Sequence, residues 1–141
     1  VNTRAQTRFA RYYARAAVPH GDARVRHERA VARQCRARRD TDTNWFDVGG
    51  GARVVYRRYA QLYFVCGVAR DDNAPCALAF LQLFVESLDA ALPRASELDI
   101  MFQPDVVHHV LDAHTVDGAV VDSSTEHVAH LTRLLLRLPT S

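Results

Sequence analysis

Lysine is absent from the 141 residues, so all 18 basic side chains are arginine. Cysteine is scarce. Cys35, Cys66 and Cys76 fall in no C-x-x-C pair, which excludes a disulfide framework and a zinc knuckle and points to a reducing compartment. No uninterrupted apolar run approaches the roughly 20 residues that span a bilayer. The arginine-studded N-terminal stretch has no apolar h-region, so a secretory signal is not expected. The catalytic signatures G-x-S-x-G, H-E-x-x-H and the G-K-[ST] ending of a phosphate loop are missing as well.

What is present suits a packed domain. Hydrophobic residues make up 48% of the chain and charged residues 24%, which excludes wholesale disorder. The length fits one domain over residues 1–141. The net charge of +2 hides a division. Residues 1–70 hold 15 arginines against five acids, a balance of +10, and residues 71–141 hold three against 11, a balance of −8. Such a split predicts a dipolar surface whose basic side faces an acidic partner, cargo or anionic membrane rather than nucleic acid.

The order of elements is readable from periodicity. Thr7 to Tyr13 alternates as a strand. Asp22 is the expected N-cap of a helix over Ala23–Arg39, with Ala23, Arg26, His27, Ala30, Val31 and Gln34 on its thin apolar face. Asn44–Val48 reads as a short strand. Arg53–Val68, rich in Val, Tyr and Phe, is too long for one strand and reads as a hairpin turning near Arg58-Tyr59-Ala60-Gln61. After Asp71-Asp72-Asn73 the period becomes helical, with Leu78, Leu81, Phe84, Val85, Leu88 and Leu92 on one face and Gln82, Glu86 and Asp89 on the other. Leu98–Phe102 reads as a short extended link. Pro104 opens a helix burying Val106, Val107, Val110 and Leu111. Ala119–Val121 is extended, and a Ser123–Glu126 capping box starts a last helix. The fold class is therefore α+β, an antiparallel sheet packed by helices.

No constellation for catalysis or metal binding stands out. His127 and His130 share a helix face, but a zinc site needs two more ligands, and solvent-facing histidines are the simpler account. Ser123 or Ser124 with Asp122 and His127 is explained by a helix start. Gly49-Gly50-Gly51 precedes a strand and reads as a flexible connector rather than a phosphate cradle. The Arg33–Arg39 run lacks aromatic interleaving, so a solvated or partner-facing surface outweighs the alternative, an arginine-rich nucleic-acid binder. The expectation is a binding protein, not an enzyme, with no metal and no cofactor.

Several stretches together resemble one family. Val54–Phe64 (VVYRRYAQLYF), Phe84–Asp89 (FVESLD) and Ser96–Phe102 (SELDIMF) are similar to the sigma, or small, subunits of clathrin-adaptor-type complexes, and Asp105–His108 with Leu111-Asp112 continues in the same register. Val1-Asn2 with Gln6-Thr7-Arg8 and Tyr12-Tyr13, together with Arg94 before the SELDIMF stretch, resembles the sigma branch of the fourth adaptor complex. Leu81–Glu86 also resembles sigma of the third, and coatomer zeta is a more distant relative.

The resemblance implies a longin-like five-stranded antiparallel sheet with helices, its first strand largely missing before Val1. It implies a small subunit in a heterotetramer with a large solenoid subunit, a second large subunit and a medium (mu) subunit. That assembly would be cytoplasmic and peripheral on trans-Golgi network or endosomal membranes and coated vesicles. It would select cargo tail peptides for intracellular protein transport, without nucleic acid. For acidic dileucine signals, the Thr-Arg motif makes Arg8 the reader of the acidic side chain, and the apolar pocket falls on Ala60, Leu62, Val85, Leu88, Ala95, Leu98 and Ile100. Arg94 and Ala95 depart from the Asn or Ser and the Val common at those positions. Ala91-Leu92 stands where the long helix usually ends in an aromatic pair.

Overall fold

A computed structural model describes residues 1–12, 21–92, 96–116 and 119–120. The described elements are α1 (Asp22–Ala37), β1 (Trp45–Gly49), β2 (Ala52–Tyr59), β3 (Leu62–Ala69), α2 (Ala74–Ala91), α3 (Glu97–Phe102), α4 (Pro104–His114), β4 (Thr115–Val116) and β5 (Ala119–Val120). The chain forms two compact units, residues 1–81 and 82–141, with the boundary inside α2.

In the first unit an antiparallel sheet in the order β1-β2-β3 is clasped by helix on both faces. Strand alternation explains how. Val54 and Tyr56 of β2 join Phe46 and Tyr63 against Val31 and Cys35 of α1. Val55, one residue out of phase, packs with Ala74 and Leu81 of α2. Burial pushes the Cys35 thiol up to about 11, as suits a core cysteine rather than a ligand. The Asn44–Val48 strand and the hairpin both form, with Tyr59 opposite Leu62, so the turn is only Ala60-Gln61. Ala60 takes φ +52 there, a conformation a side chain enters at a cost. Gly50 and Gly51, with φ +62 and +75, form a tight two-residue turn between β1 and β2, next to a bulge between Asp47 and Gly49.

Three expectations for this unit are corrected. Described residues 7–12 form no strand. The side chains of Thr7 and Tyr12, five residues apart, both reach Glu28 of α1, whereas strand residues an odd number apart face opposite sides. The N-cap of α1 is Gly21 rather than Asp22, which is the acid of the first turn. The buried face of α1 is Val31, Ala32 and Cys35, while Arg26, Ala30 and Gln34 are exposed. The expected face would have taken the Arg26 guanidinium out of water, and the observed one avoids that cost.

In the second unit, α2 continues with Phe84, Val85, Ser87 and Leu88 buried and Glu86 and Asp89 exposed. By length and composition α2 could cross a membrane, with mean hydropathy 1.3, a reading the broken apolar runs had not suggested. Its buried Phe84, Val85 and Leu88 instead form core, each contributing about 1.5–3 kcal/mol. Ser87 Oγ and His114 Nε2 share a fully buried 2.8 Å hydrogen bond that ties α2 to the end of α4. Val106, Val107, Val110 and Leu111 of α4 are buried as expected, with Pro104 in the first turn.

The Leu98–Phe102 link is corrected to helix α3. Ser96 caps it by accepting from the Asp99 amide at 3.2 Å and donating to the Asp99 carboxylate at 2.8 Å. The S-x-x-D pattern was the available signal. The Ala119–Val121 strand is present over Ala119–Val120, paired with β4. Val121, the capping box and the last helix lie outside the described residues. The fold class is α+β with an antiparallel sheet and helices, and among the described residues the main sheet holds three strands where the resemblance implies five.

Candidate functional site

The N-terminal segment gives Arg8 its setting. Asn2, 3% exposed, accepts from the amides of Arg4 and Gln6 at 3.0 Å through Oδ1 and donates from Nδ2 to Gln6 Oε1 at 2.9 Å. These bonds wind residues 2–6 into a turn with Ala5 at φ +62. The half-buried Arg8 donates from Nη2 to the same Gln6 oxygen at 2.8 Å. The turn is fixed to the sheet. Asn2 bridges Leu62, the Tyr63 amide donates to the Val1 carbonyl at 2.7 Å, and the Val1 nitrogen donates to the Tyr63 carbonyl at 3.0 Å. A chain of hydrogen bonds therefore links Arg8 to the start of β3, where the candidates Ala60 and Leu62 lie.

On the other side of Arg8, Thr7 is held by Glu28. Glu28 Oε2 accepts from Thr7 Oγ1 at 2.9 Å, and Oε1 accepts from Tyr12 at 2.8 Å and from Arg24 Nε at 3.0 Å. The Arg24 guanidinium also lies 4.1 Å from the centre of the Tyr12 ring. Burial alone would raise the Glu28 pKa, but the donors from Tyr12, Thr7 and Arg24 outweigh it and hold the carboxyl below its ordinary value. The same contact, with burial as the larger cause, raises the Tyr12 hydroxyl. Sequence reading passed over Asn2, Gln6, Tyr12 and Glu28 as site residues. The signal for Glu28 was its place four residues after Arg24 on a helix.

The other candidates divide by exposure. In the first unit Ala60 is exposed at its turn, with its carbonyl accepting from Arg58 Nε at 3.3 Å, and Leu62 is buried. In the second unit Val85, Leu88 and Ile100 are buried, whereas Leu98 is 62% exposed. Leu98, Met101 and Phe102 follow i, i+3, i+4 spacing on α3 and are all exposed. Arg94 and Ala95 lie outside the described residues, as do His127 and His130. Among the described residues no group of three His, Cys, Asp or Glu could hold a metal ion.

The described residues thus define an α+β protein, an antiparallel sheet clasped by helices. The family model described as clathrin adaptor complex small chain matches residues 1–138, and the chain belongs to that family. Among its relatives, the AP-4 complex subunit sigma of Arabidopsis thaliana is 34% identical over 128 residues, covering 91% of this chain and 87% of the relative. The AP-4 complex subunit sigma-1 of Mus musculus is 33% identical, with coverages of 91% and 86%. In fold, the chain is similar to one in a homology model of the full-length AP-3 complex in a stretched open conformation. The TM-score is 0.75 at 20% identity, over 96% of this chain and 89% of that one.

Proposed function

We propose that the protein is the small subunit of a heterotetrameric vesicle-coat adaptor of the AP-4 sigma type, a non-enzymatic single domain. It binds one large solenoid subunit within an assembly completed by a second large and a medium subunit. Its place is the cytoplasmic side of trans-Golgi network or endosomal membranes. The observation that carries this reading is family membership over nearly the whole chain, with AP-4 sigma relatives aligned over nine-tenths of it.

Within that assembly the subunit helps select cargo tail peptides bearing acidic dileucine signals. Arg8 reads the acid, and Ala60, Leu62, Val85, Leu88, Arg94, Ala95, Leu98 and Ile100 remain the carried-over positions. The hydrogen-bonded setting of Arg8 and the exposure of Leu98 support the reading. An exposed ion pair contributes about 0–1 kcal/mol and each buried leucine about 1.5–3, so after association costs the affinity is of micromolar order. Avidity within a coat makes such weak sites sufficient.

The test is binding of an acidic dileucine peptide to the assembled complex by calorimetry. Arg8→Ala is expected to weaken it by up to about fivefold and Leu98→Ser by about tenfold or more. Leu98 is the informative apolar position because it is exposed, whereas a polar substitution at the buried Val85 would damage the core. Unchanged affinity in both variants overturns the cargo assignment.

A further inference from the structure

The exposed face of α1 carries an unbroken row of arginines. Arg26, Arg29, Arg33 and Arg36 are spaced three, four and three residues apart, which places them within one side of the helix over about 15 Å. All four are exposed. The opposite face of α1, with Val31 and Cys35, is sealed against the sheet. Three neighbouring arginines are instead engaged within the fold. Arg24 is bonded to Glu28. Arg38 donates to the Thr43 carbonyl and the Tyr56 hydroxyl. Arg53 pairs with Asp47 and stacks on Trp45, 3.9 Å from its ring centre.

Among the described residues of the first unit, nothing neutralises the row. Asp22 is the one acid on the exposed side of the helix, at its very start, and Glu28 faces away with three donors of its own. Four like charges three and four residues apart weaken an isolated helix, so their alignment costs stability unless an anion answers it.

We infer that this row is an electrostatic docking surface for the anionic lipid headgroups of a membrane. Three features favour a lipid surface over other polyanions. Among the described residues Val25 is the one large exposed apolar side chain on α1, so an acidic peptide would find little apolar anchorage for a hot-spot side chain. The helix itself contains no Phe, Tyr or Trp on which a base could stack. The apolar side of α1 is already used by the sheet, which excludes insertion and leaves surface adsorption, where each guanidinium meets a headgroup phosphate. The inference goes beyond adaptor membership, because it gives this subunit direct lipid contact rather than attachment through its partners.

The test is co-sedimentation of the full chain, in complex with its large subunit, with vesicles of phosphatidylcholine containing about one-third phosphatidylserine. The Arg29→Gln/Arg33→Gln variant is expected to lose about 25-fold in partition, about fivefold for each charge removed. Arg29→Lys/Arg33→Lys is expected to retain most of the binding. Wild-type partition is expected to fall steeply as salt rises and to vanish on pure phosphatidylcholine. Both variants change exposed positions only, and recovery of the large subunit in the same preparation reports that they fold and assemble. Equal partition of wild type and the Gln variant overturns the inference. So does a variant that loses binding to duplex DNA or to an acidic protein while its vesicle partition is unchanged.

Discussion

Glu28 joins two parts of the first unit that the sequence separates by more than 15 residues. Its carboxylate gathers donors from Thr7, Tyr12 and Arg24, so one charge holds the N-terminal segment on α1. Glu28→Gln keeps the shape and removes the charge, and the expected loss at neutral pH is about 1–2 kcal/mol, read as a lowered Tm. Because the folded-state pKa lies below the ordinary value of about 4.3, this stability is present above that value. It disappears as pH falls through the lower folded value. The gap between wild-type and variant Tm is therefore expected to close as pH is lowered below about 4. A gap independent of pH would mean that the charge is not what holds the segment. The network was only partly legible. Arg8 came from a motif, whereas Asn2, Tyr12 and Glu28 act through a turn and a helix face whose rotation only packing decides.

Elements were legible where one physical signal dominated. The hairpin followed from its β-branched and aromatic run, and α4 from Pro104 with a clean 3.6-residue period. The errors came where two signals competed. In Leu98–Phe102 a bulky apolar run outweighed the Ser96–Asp99 cap, and in α1 the stripe was too thin to fix the buried face. The Ala60-Gln61 turn gives a sharp test. Ala60→Gly is expected to relieve a left-handed strain of about 1–2 kcal/mol against an unfolded-state entropy cost of about 0.4–1, raising Tm slightly. Ala60→Val is expected to lower it, and chemical denaturation of both variants checks the pair. In the second unit, Ser87→Ala removes a fully buried partner of His114 and is expected to cost about 1–3 kcal/mol. A loss below about 0.5 kcal/mol would show that the bond adds no net stability.

At the scale of the molecule, the charge division acquires a location. The basic half supplies the three-stranded sheet and α1, and among its described arginines some are bound into the fold while four form the exposed row on α1. Family membership gives the exposed surfaces a use, since a small adaptor chain works by contact. Leu98, Met101 and Phe102 are apolar surface of the kind that partners cover. The most direct test of this account is co-expression of the chain with the large subunits of each adaptor type, followed by affinity purification through the small chain. The account predicts one-to-one recovery with a large subunit of the AP-4 type that survives gel filtration. A stable monomer that recovers no large adaptor chain would contradict it.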